Sequence, residues 1–323
     1  MQDIIPLTLP ENNESLKDQS IQDELQQMFD KGVFQTLSYQ EATIVRKRIH
    51  IIDSIMFSKV KFNANGTFAK WKSRLAARGD QQPALDVPPS SPTANILSIN
   101  TLLSYGVNQG RYVFTSDVPG AYLHADINEE VVMKLPKSCS LFWLQITGIN
   151  PDIWQNYIDK KGFVYVLVLK AIYGLLQSSV LWFENISATL IDMGFVPTKH
   201  DPCVFSKIIN MKQYFIAVYV DDLLHVCNDN DVGIMIGDQL TKRYGKMEHH
   251  YDKNLSFLSI NLQYNNDYTT LVMHIFKSFL KMHKITSILL KLVIRSMVPQ
   301  HLSYPNHHCP SLLKKVTDID PIL

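Results

Sequence analysis

Nothing in the chain approaches the roughly 18 uninterrupted apolar residues that a membrane-spanning helix needs. The amino terminus also lacks the basic-then-apolar layout of a signal peptide. A soluble intracellular protein is the expectation. Cysteine is scarce: Cys139, Cys203, Cys227 and Cys309 stand far apart with no C-x-x-C pair. That spacing indicates neither a zinc ribbon nor a disulfide framework, and leaves buried or idle thiols. Net charge is nearly absent, at +1, so the composition as a whole singles out no partner. Internal repeats and low-complexity tracts are missing. What is present is length, 323 residues, room for about two compact units, and a 46% hydrophobic content that suffices to bury a core.

The charge is unevenly spread. Between Thr43 and Asp80 nine bases (Arg46, Lys47, Arg48, Lys59, Lys61, Lys70, Lys72, Arg74, Arg78) face only Asp53 and Asp80. Such a segment can meet phosphates, or it can be a solvated strand surface. Before it, a polar lead-in offers one amphipathic helix over residues 16–30, with Ile21, Leu25 and Met28 on one side. Residues 51–62 and 67–72 read as two strands joined by Asn63-Ala64-Asn65-Gly66, so the basic residues ride on a hairpin. A loop rich in Pro and Ser (residues 83–92) leads to a short helix through Ile96, Ile99 and Leu103, expected to end at Gly106.

A brief strand at Tyr112, Val113 and Phe114 leaves Asp117 at its end, and the chain from Ala121 to Ala125 opens a new turn. Another strand follows at 164–169. A helix over 179–193 then carries Trp182, Ile186 and Leu190 at i, i+4, i+8, with Gly194 as its stop. Last, residues 214–220 and 223–227 are apolar, β-rich runs separated only by Asp221 and Asp222, which predicts a hairpin with an acidic tip.

Two adjacent carboxylates between core-quality strands are costly, because like charges repel and burial penalises each ionised form. Taken alone, an Asp-Asp turn is an exposed loop. A third carboxylate at a neighbouring strand end changes that reading: a pair of Mg²⁺ ions would compensate the charge, since hard cations take carboxylate oxygens plus substrate phosphates. Asp117 is the best placed third residue.

The surrounding motifs are specific. Tyr219-Val220-Asp221-Asp222 is the Y-V-D-D form of the reverse transcriptase signature, and the order of blocks around it resembles the copia-type LTR retrotransposon family. Residues 72–80 (K-S-R-L-A-A-R-G-D) resemble its K-A-R-x-V-A-R/K-G block, and residues 117–126 (D-V-P-G-A-Y-L-H-A-D) its D-V-x-x-A-Y/F-L block. Residues 169–177 (L-K-A-I-Y-G-L-L-Q) resemble L-x-K-x-L-Y-G-L-K-Q, with Trp182 at its usual distance, and D-P-C-V-F at 201–205 and F-L-S-I at 257–260 complete the series. Leu176, Ser179, Val180 and Ser259 depart from the family's lysine, proline, arginine and glycine. None is a metal ligand.

The resemblance implies an α+β right-hand polymerase fold, with basic fingers, an antiparallel palm sheet packed by helices, and an eroded or partial thumb. It divides the chain into a lead-in (1–42), fingers and palm (43–270) and a thumb or connection remnant, or divergent tail (271–323). The implied activity is RNA-directed DNA polymerisation, with two Mg²⁺ ions, or Mn²⁺ in their place. Asp117, Asp221 and Asp222 would be catalytic, and the metals would be held by Asp117, Val118 and Asp221. Lys72, Arg74, Gly120, Ala121, Tyr122 and Gln177 would bind the nucleotide, with Arg78 a weaker cation. Tyr122 would lie under the sugar and block a 2′-OH, although such a ring can also be a core residue. Gln177 would sit by the template, unless it is a surface amide, and Lys246 is the general-acid candidate for the leaving pyrophosphate.

The implied partners are an RNA or DNA template with primer, dNTP, and the RNase H and integrase parts of a longer polyprotein, with no membrane. The implied location is the cytoplasm, inside virus-like particles for an active element, and is unassigned otherwise. Two other readings compete. One is a catalytically silent remnant retaining the fold or nucleic-acid binding, and the other a palm-fold cyclase, which Tyr122 argues against. A metal site at residues 301–309 (H-L-S-Y-P-N-H-H-C) is rejected for want of a partnered second pair.

Overall fold

The computed structural model describes residues 10, 12–63, 67–83, 91–258, 260–276 and 289–295. In chain order the elements are α1 (Asn13–Asp30), β1 (Phe34–Leu37), α2 (Tyr39–Val45), β2 (Ile52–Phe62), β3 (Phe68–Ala77), α3 (Ile96–Asn108), β4 (Tyr112–Asp117), β5 (Asp126–Lys134) and α4 (Lys137–Thr147). They continue with β6 (Tyr165–Lys170), α5 (Ser178–Asp192), β7 (Val196–Pro197), β8 (Val204–Ile209), β9 (Lys212–Tyr219), β10 (Asp222–Cys227) and α6 (Asn230–Tyr244). The last are β11 (Glu248–His250), β12 (Asn254–Phe257), β13 (Ile260–Tyr264), β14 (Thr270–Phe276) and β15 (Leu289–Arg295). The architecture is α+β. It divides into one unit of residues 1–91 and 120–186 and another of 92–119 and 187–323.

The first unit is built on a five-stranded sheet of order β1-β6-β5-β2-β3, in which β2 and β5 run parallel and the other pairs antiparallel. The stripe read on α1 is buried as expected: Ile21, Leu25 and Met28 enter one core with Leu75, Val166 and Trp143. Strand β3 continues to Ala77, five residues past the end read from sequence, because α1 covers its apolar face. Trp71 Nε1 donates to Asn13 Oδ1 (2.9 Å), and Ser20 Oγ donates to Ser73 Oγ (2.9 Å). Of the expected hairpin turn, only Asn63 and Thr67 are described, with the Asn63 N–H donating to the Thr67 carbonyl at 2.9 Å. Helix α2 starts on a capping box in which Ser38 and Glu41 satisfy each other's free N–H groups.

The second unit carries an antiparallel six-stranded sheet of order β11-β4-β10-β9-β8-β7 and a four-stranded sheet β12-β13-β14-β15. Gly106 does not end α3. It lies inside the helix, where a Cβ would stand 3.3 Å from Val113 and 3.4 Å from Val226, so the missing side chain lets α3 settle on the sheet. The opposite face, bearing Phe114 and Cys227, is covered by α6, which comes close through Gly233. Helix α5 buries Trp182, Ile186 and Leu190, and Gly194 follows with φ +84°. Cys139, Cys203 and Cys227 are free and buried, and burial raises their thiols to about 11, 12 and 12. Cys309, Ser259 and the segment 301–309 lie outside the described residues. Among the described residues no helix is long and apolar enough to cross a membrane.

Candidate functional site

The acidic hairpin exists, but its tip is shifted by one residue from the sequence reading. Asp222 is the first residue of β10 and pairs with Tyr219, so the two turn residues are Val220 and Asp221. The apolar alternation could not fix this, because a two-residue hairpin demands positive φ at its first position to match the twist of its strands. Val220 supplies it at φ +55°, an unfavourable region for a β-branched residue.

Strand β4 lies between β10 and β11 and ends on Asp117, which pairs with Asp222 on one side and with Glu248 on the other. Directly paired residues project from the same face. Glu248, Asp117, Asp222 and Tyr219 therefore form one row across four strands. Asp221 joins from the turn, where its carbonyl accepts the Val118 N–H at 3.0 Å. Val118, its side chain fully buried, can offer ligands only from its backbone.

Burial, then the Asp221 and Asp117 charges, pushes the Asp222 carboxyl up to about 6. Like negative charge has thus collected at the ends of β4 and β10. No three His, Cys, Asp or Glu side chains among the described residues close into a metal cage as they stand. Lys246 is exposed between α6 and β11, two residues before Glu248.

The other face of the same strands carries a polar network that the sequence did not announce. His225 is fully buried and lies flat on Phe114, ring centroids 4.1 Å apart. Its Nδ1 is 3.1 Å from the Tyr214 hydroxyl and its Nε2 3.0 Å from Ser116 Oγ. Ser116 Oγ in turn meets His249 Nδ1 at 2.7 Å, and His249 Nε2 meets Thr241 Oγ1 at 2.8 Å. Ser116 immediately precedes Asp117, so this chain ties β9, β10, β4, β11 and α6 together directly behind the carboxylate row. Burial holds both imidazoles below their ordinary pKa, His225 far below.

The remaining candidates belong to the first unit. On the β2–β3 hairpin, Lys59 pairs with Lys72, Lys61 with Lys70, and Phe57 with Arg74. All six therefore share the face turned away from α1, and all six are exposed. Like charges directly opposite each other oppose sheet pairing, so this face suits an anionic partner better than it suits the isolated hairpin. Arg78, the weaker candidate, is committed to Asp80 through two hydrogen bonds of 2.8 and 2.7 Å.

Gly120 takes φ +62° and opens only a four-residue 3₁₀ turn (Ala121–His124), so there is no α-helical dipole behind its N–H groups. Tyr122 is half-buried and not a core residue. It packs edge-on against Tyr173, ring centroids 4.9 Å apart, while the Arg74 guanidinium lies 4.6 Å above the Tyr173 ring. Gln177 is not a surface amide. It is buried, accepts from Gln82 Nε2 (3.1 Å) and donates to Glu129 Oε2 (3.3 Å).

Tyr173 stands in the Y-G-L-L-Q block, where the local pattern carries no sign of its contacts with Arg74 and Tyr122. Sequence reasoning could not have found Glu248, whose pairing with Asp117 spans more than a hundred residues of chain.

The family model described as reverse transcriptase (RNA-dependent DNA polymerase) matches residues 46–291. A Retrovirus-related Pol polyprotein from transposon RE2 of Arabidopsis thaliana is 31% identical over 197 residues, 60% of this chain and 12% of that protein. The polyprotein from transposon TNT 1-94 of Nicotiana tabacum is 26% identical over 241 residues, covering 74% of this chain and 16% of its own length. The Truncated transposon Ty1-A Gag-Pol polyprotein of Saccharomyces cerevisiae is 28% identical over 224 residues, 68% of this chain and 16% of its own. The chain thus spans between 12% and 16% of the length of these relatives.

Proposed function

Because this chain belongs to the reverse transcriptase (RNA-dependent DNA polymerase) family, we propose that it extends a primer with dNTP on an RNA template, residues 43–270 serving as fingers and palm. Residues 271–323 would then be the thumb or connection part. One observation carries the reading: Asp117 and Asp222 are paired across neighbouring strand ends, with Asp221 in the adjoining turn.

Asp117 and Asp221, with the Val118 carbonyl, would hold two Mg²⁺ or Mn²⁺ ions, and Asp222 would support them. Three neighbouring carboxylates, one of them pushed up to about 6 by burial and then by the other two charges, form a donor set that fits a hard dication. When bound, such ions lower the pKa of an attacking hydroxyl and stabilise the leaving oxygen. Lys72 and Arg74 would clamp the triphosphate as charge-assisted donors, beside the Gly120 and Ala121 N–H groups. Tyr122 would close the sugar pocket against a 2′-OH. Gln177, held by Gln82 and Glu129, would stiffen the wall beside the template. Lys246 is suited to protonate pyrophosphate by its place two residues before the carboxylate row. RNase H and integrase would come from other parts of a longer polyprotein.

The test is primer extension by the purified chain on a primed RNA template with dNTP and Mg²⁺. DNA product is expected, and Asp221→Asn should abolish it while the circular dichroism spectrum stays unchanged. Product from the Asn variant at the parental rate would sink the two-metal assignment. The competing reading is a silent remnant that keeps the fold and binds nucleic acid. Absence of product with retained template binding would establish it.

A further inference from the structure

Tyr173 has no part in the roles assigned above, yet its ring touches two residues that do. A tyrosine that rejects a 2′-OH by collision works only if its ring cannot swing aside when the hydroxyl arrives. Tyr122 stands in a four-residue 3₁₀ turn after a left-handed glycine and is partly exposed. The edge-to-face contact with Tyr173, 4.9 Å between centroids, is of the kind that fixes the mutual orientation of two rings.

Tyr173 itself is anchored. Its carbonyl accepts the Ala77 N–H at 2.8 Å. The next residue, Gly174 at φ +92°, is pressed against the Ala77 backbone, where no side chain fits. A buried Ser178 hydroxyl closes the loop behind it on the Ile172 carbonyl at 2.6 Å. The Tyr173 ring also carries the Arg74 guanidinium, 4.6 Å from its centroid. It thus meets both a cation and the neighbouring ring.

We propose that Tyr173 is a positioning residue that braces Tyr122 and links it to Arg74, so that discrimination between deoxyribonucleoside and ribonucleoside triphosphates depends on the Tyr173 ring. The inference rests on the reading of Tyr122 as the wall of the sugar pocket. It also implies that a cation drawn onto a triphosphate presses on the same ring that steadies the wall, joining nucleotide affinity to sugar selection.

The experiment measures kcat/KM for dNTP and for rNTP in primer extension by the full chain and by Tyr122→Ala, Tyr173→Leu, Tyr173→Met and Tyr173→Phe, with a thermal melt of each. Tyr173→Leu should lower the dNTP to rNTP ratio about tenfold or more and raise the dNTP KM, while kcat for dNTP stays within about threefold. Tyr173→Met should do the same and serves if the leucine chain melts early. Tyr173→Phe keeps the ring and should keep the parental ratio. A relaxed ratio in Tyr122→Ala with the parental ratio in Tyr173→Leu and Tyr173→Met would overturn the brace alone. So would a Tyr173→Phe chain as relaxed as the leucine one. An unchanged ratio in an active Tyr122→Ala, or no extension by the unsubstituted chain, would overturn the underlying reading, and the inference with it.

Discussion

Gly79 and Gly174 are mated backbone to backbone: a Cβ on Gly79 would collide with the Gly174 carbonyl oxygen, and one on Gly174 would collide with the Ala77 carbonyl. The two residues come from different motif blocks, R-L-A-A-R-G and Y-G-L-L-Q, and their contact fixes the end of β3 against the loop that carries Tyr173.

Alanine at either glycine should therefore destabilise the first unit. Overpacking alone costs about 1–3 kcal/mol, and Gly174→Ala adds the strain of φ +92°. Urea midpoints should fall for both variants, further for Gly174→Ala. Unchanged midpoints would mean that the two backbones are not in contact.

The carboxylate row should cost the protein stability when no cation is present. The Asp222 carboxyl, raised to about 6 by burial, Asp221 and Asp117, binds its proton more tightly folded than unfolded. Stability therefore falls as pH rises between about 4 and 6, and the loss is complete above that window. For this half-buried group the penalty is about 1–2 kcal/mol once solvent screening is allowed for. In chelator at neutral pH, Asp222→Asn should melt higher than the parent, and the difference should vanish near pH 4. A lower melting temperature for the Asn variant at neutral pH would contradict the like-charge account.

The imidazoles behind the row act with the opposite sign. His225 resists protonation in the folded chain because burial disfavours its charge, whereas the unfolded chain takes up a proton below about 6.5. Stability should thus drop as pH falls below about 6.5, by up to about 1.4 kcal/mol per pH unit for one proton. In His225→Phe this limb should flatten. Ser116→Val, which leaves both imidazoles short of a partner, should cost about 1–3 kcal/mol at every pH. A His225→Phe chain with the parental pH dependence between 5 and 7 would place the limb elsewhere.

The cationic hairpin face should be read out in nucleotide affinity. Alanine at Lys72 or Arg74 is expected to raise the KM for dNTP several-fold while template affinity changes little. Arg74→Ala should have the larger effect, since it also uncovers Tyr173. If filter binding showed template affinity falling while nucleotide KM held, these residues would belong to the template path. Lys59, Lys61 and Lys70 share that face, and their removal should chiefly reduce the salt dependence of nucleic-acid binding.

The sequence by itself determined the family, the α+β class and which three carboxylates come together at the strand ends. These live in local signals: the Y-V-D-D run between apolar strands, Asp117 at a strand end, and the α1 stripe. It mistook what depends on a partner element. Gly106 looked like a helix stop because a lone glycine near the end of a helical run has that meaning locally, and only the sheet beneath α3 shows that it is a packing site. The acidic tip moved by one residue because register is set by the turn's backbone geometry and not by the apolar pattern. For Gln177 the sequence left a template-side residue and a surface amide both open, and only Gln82 and Glu129, arriving from elsewhere in the chain, bury it.

Above all, only the tertiary structure places Glu248 beside Asp117, His225 behind Ser116, and Tyr173 between Arg74 and Tyr122. Each is a pairing of residues distant along the chain, made by strand register or ring packing, and a local sequence pattern has no means of encoding the distance between its own ends.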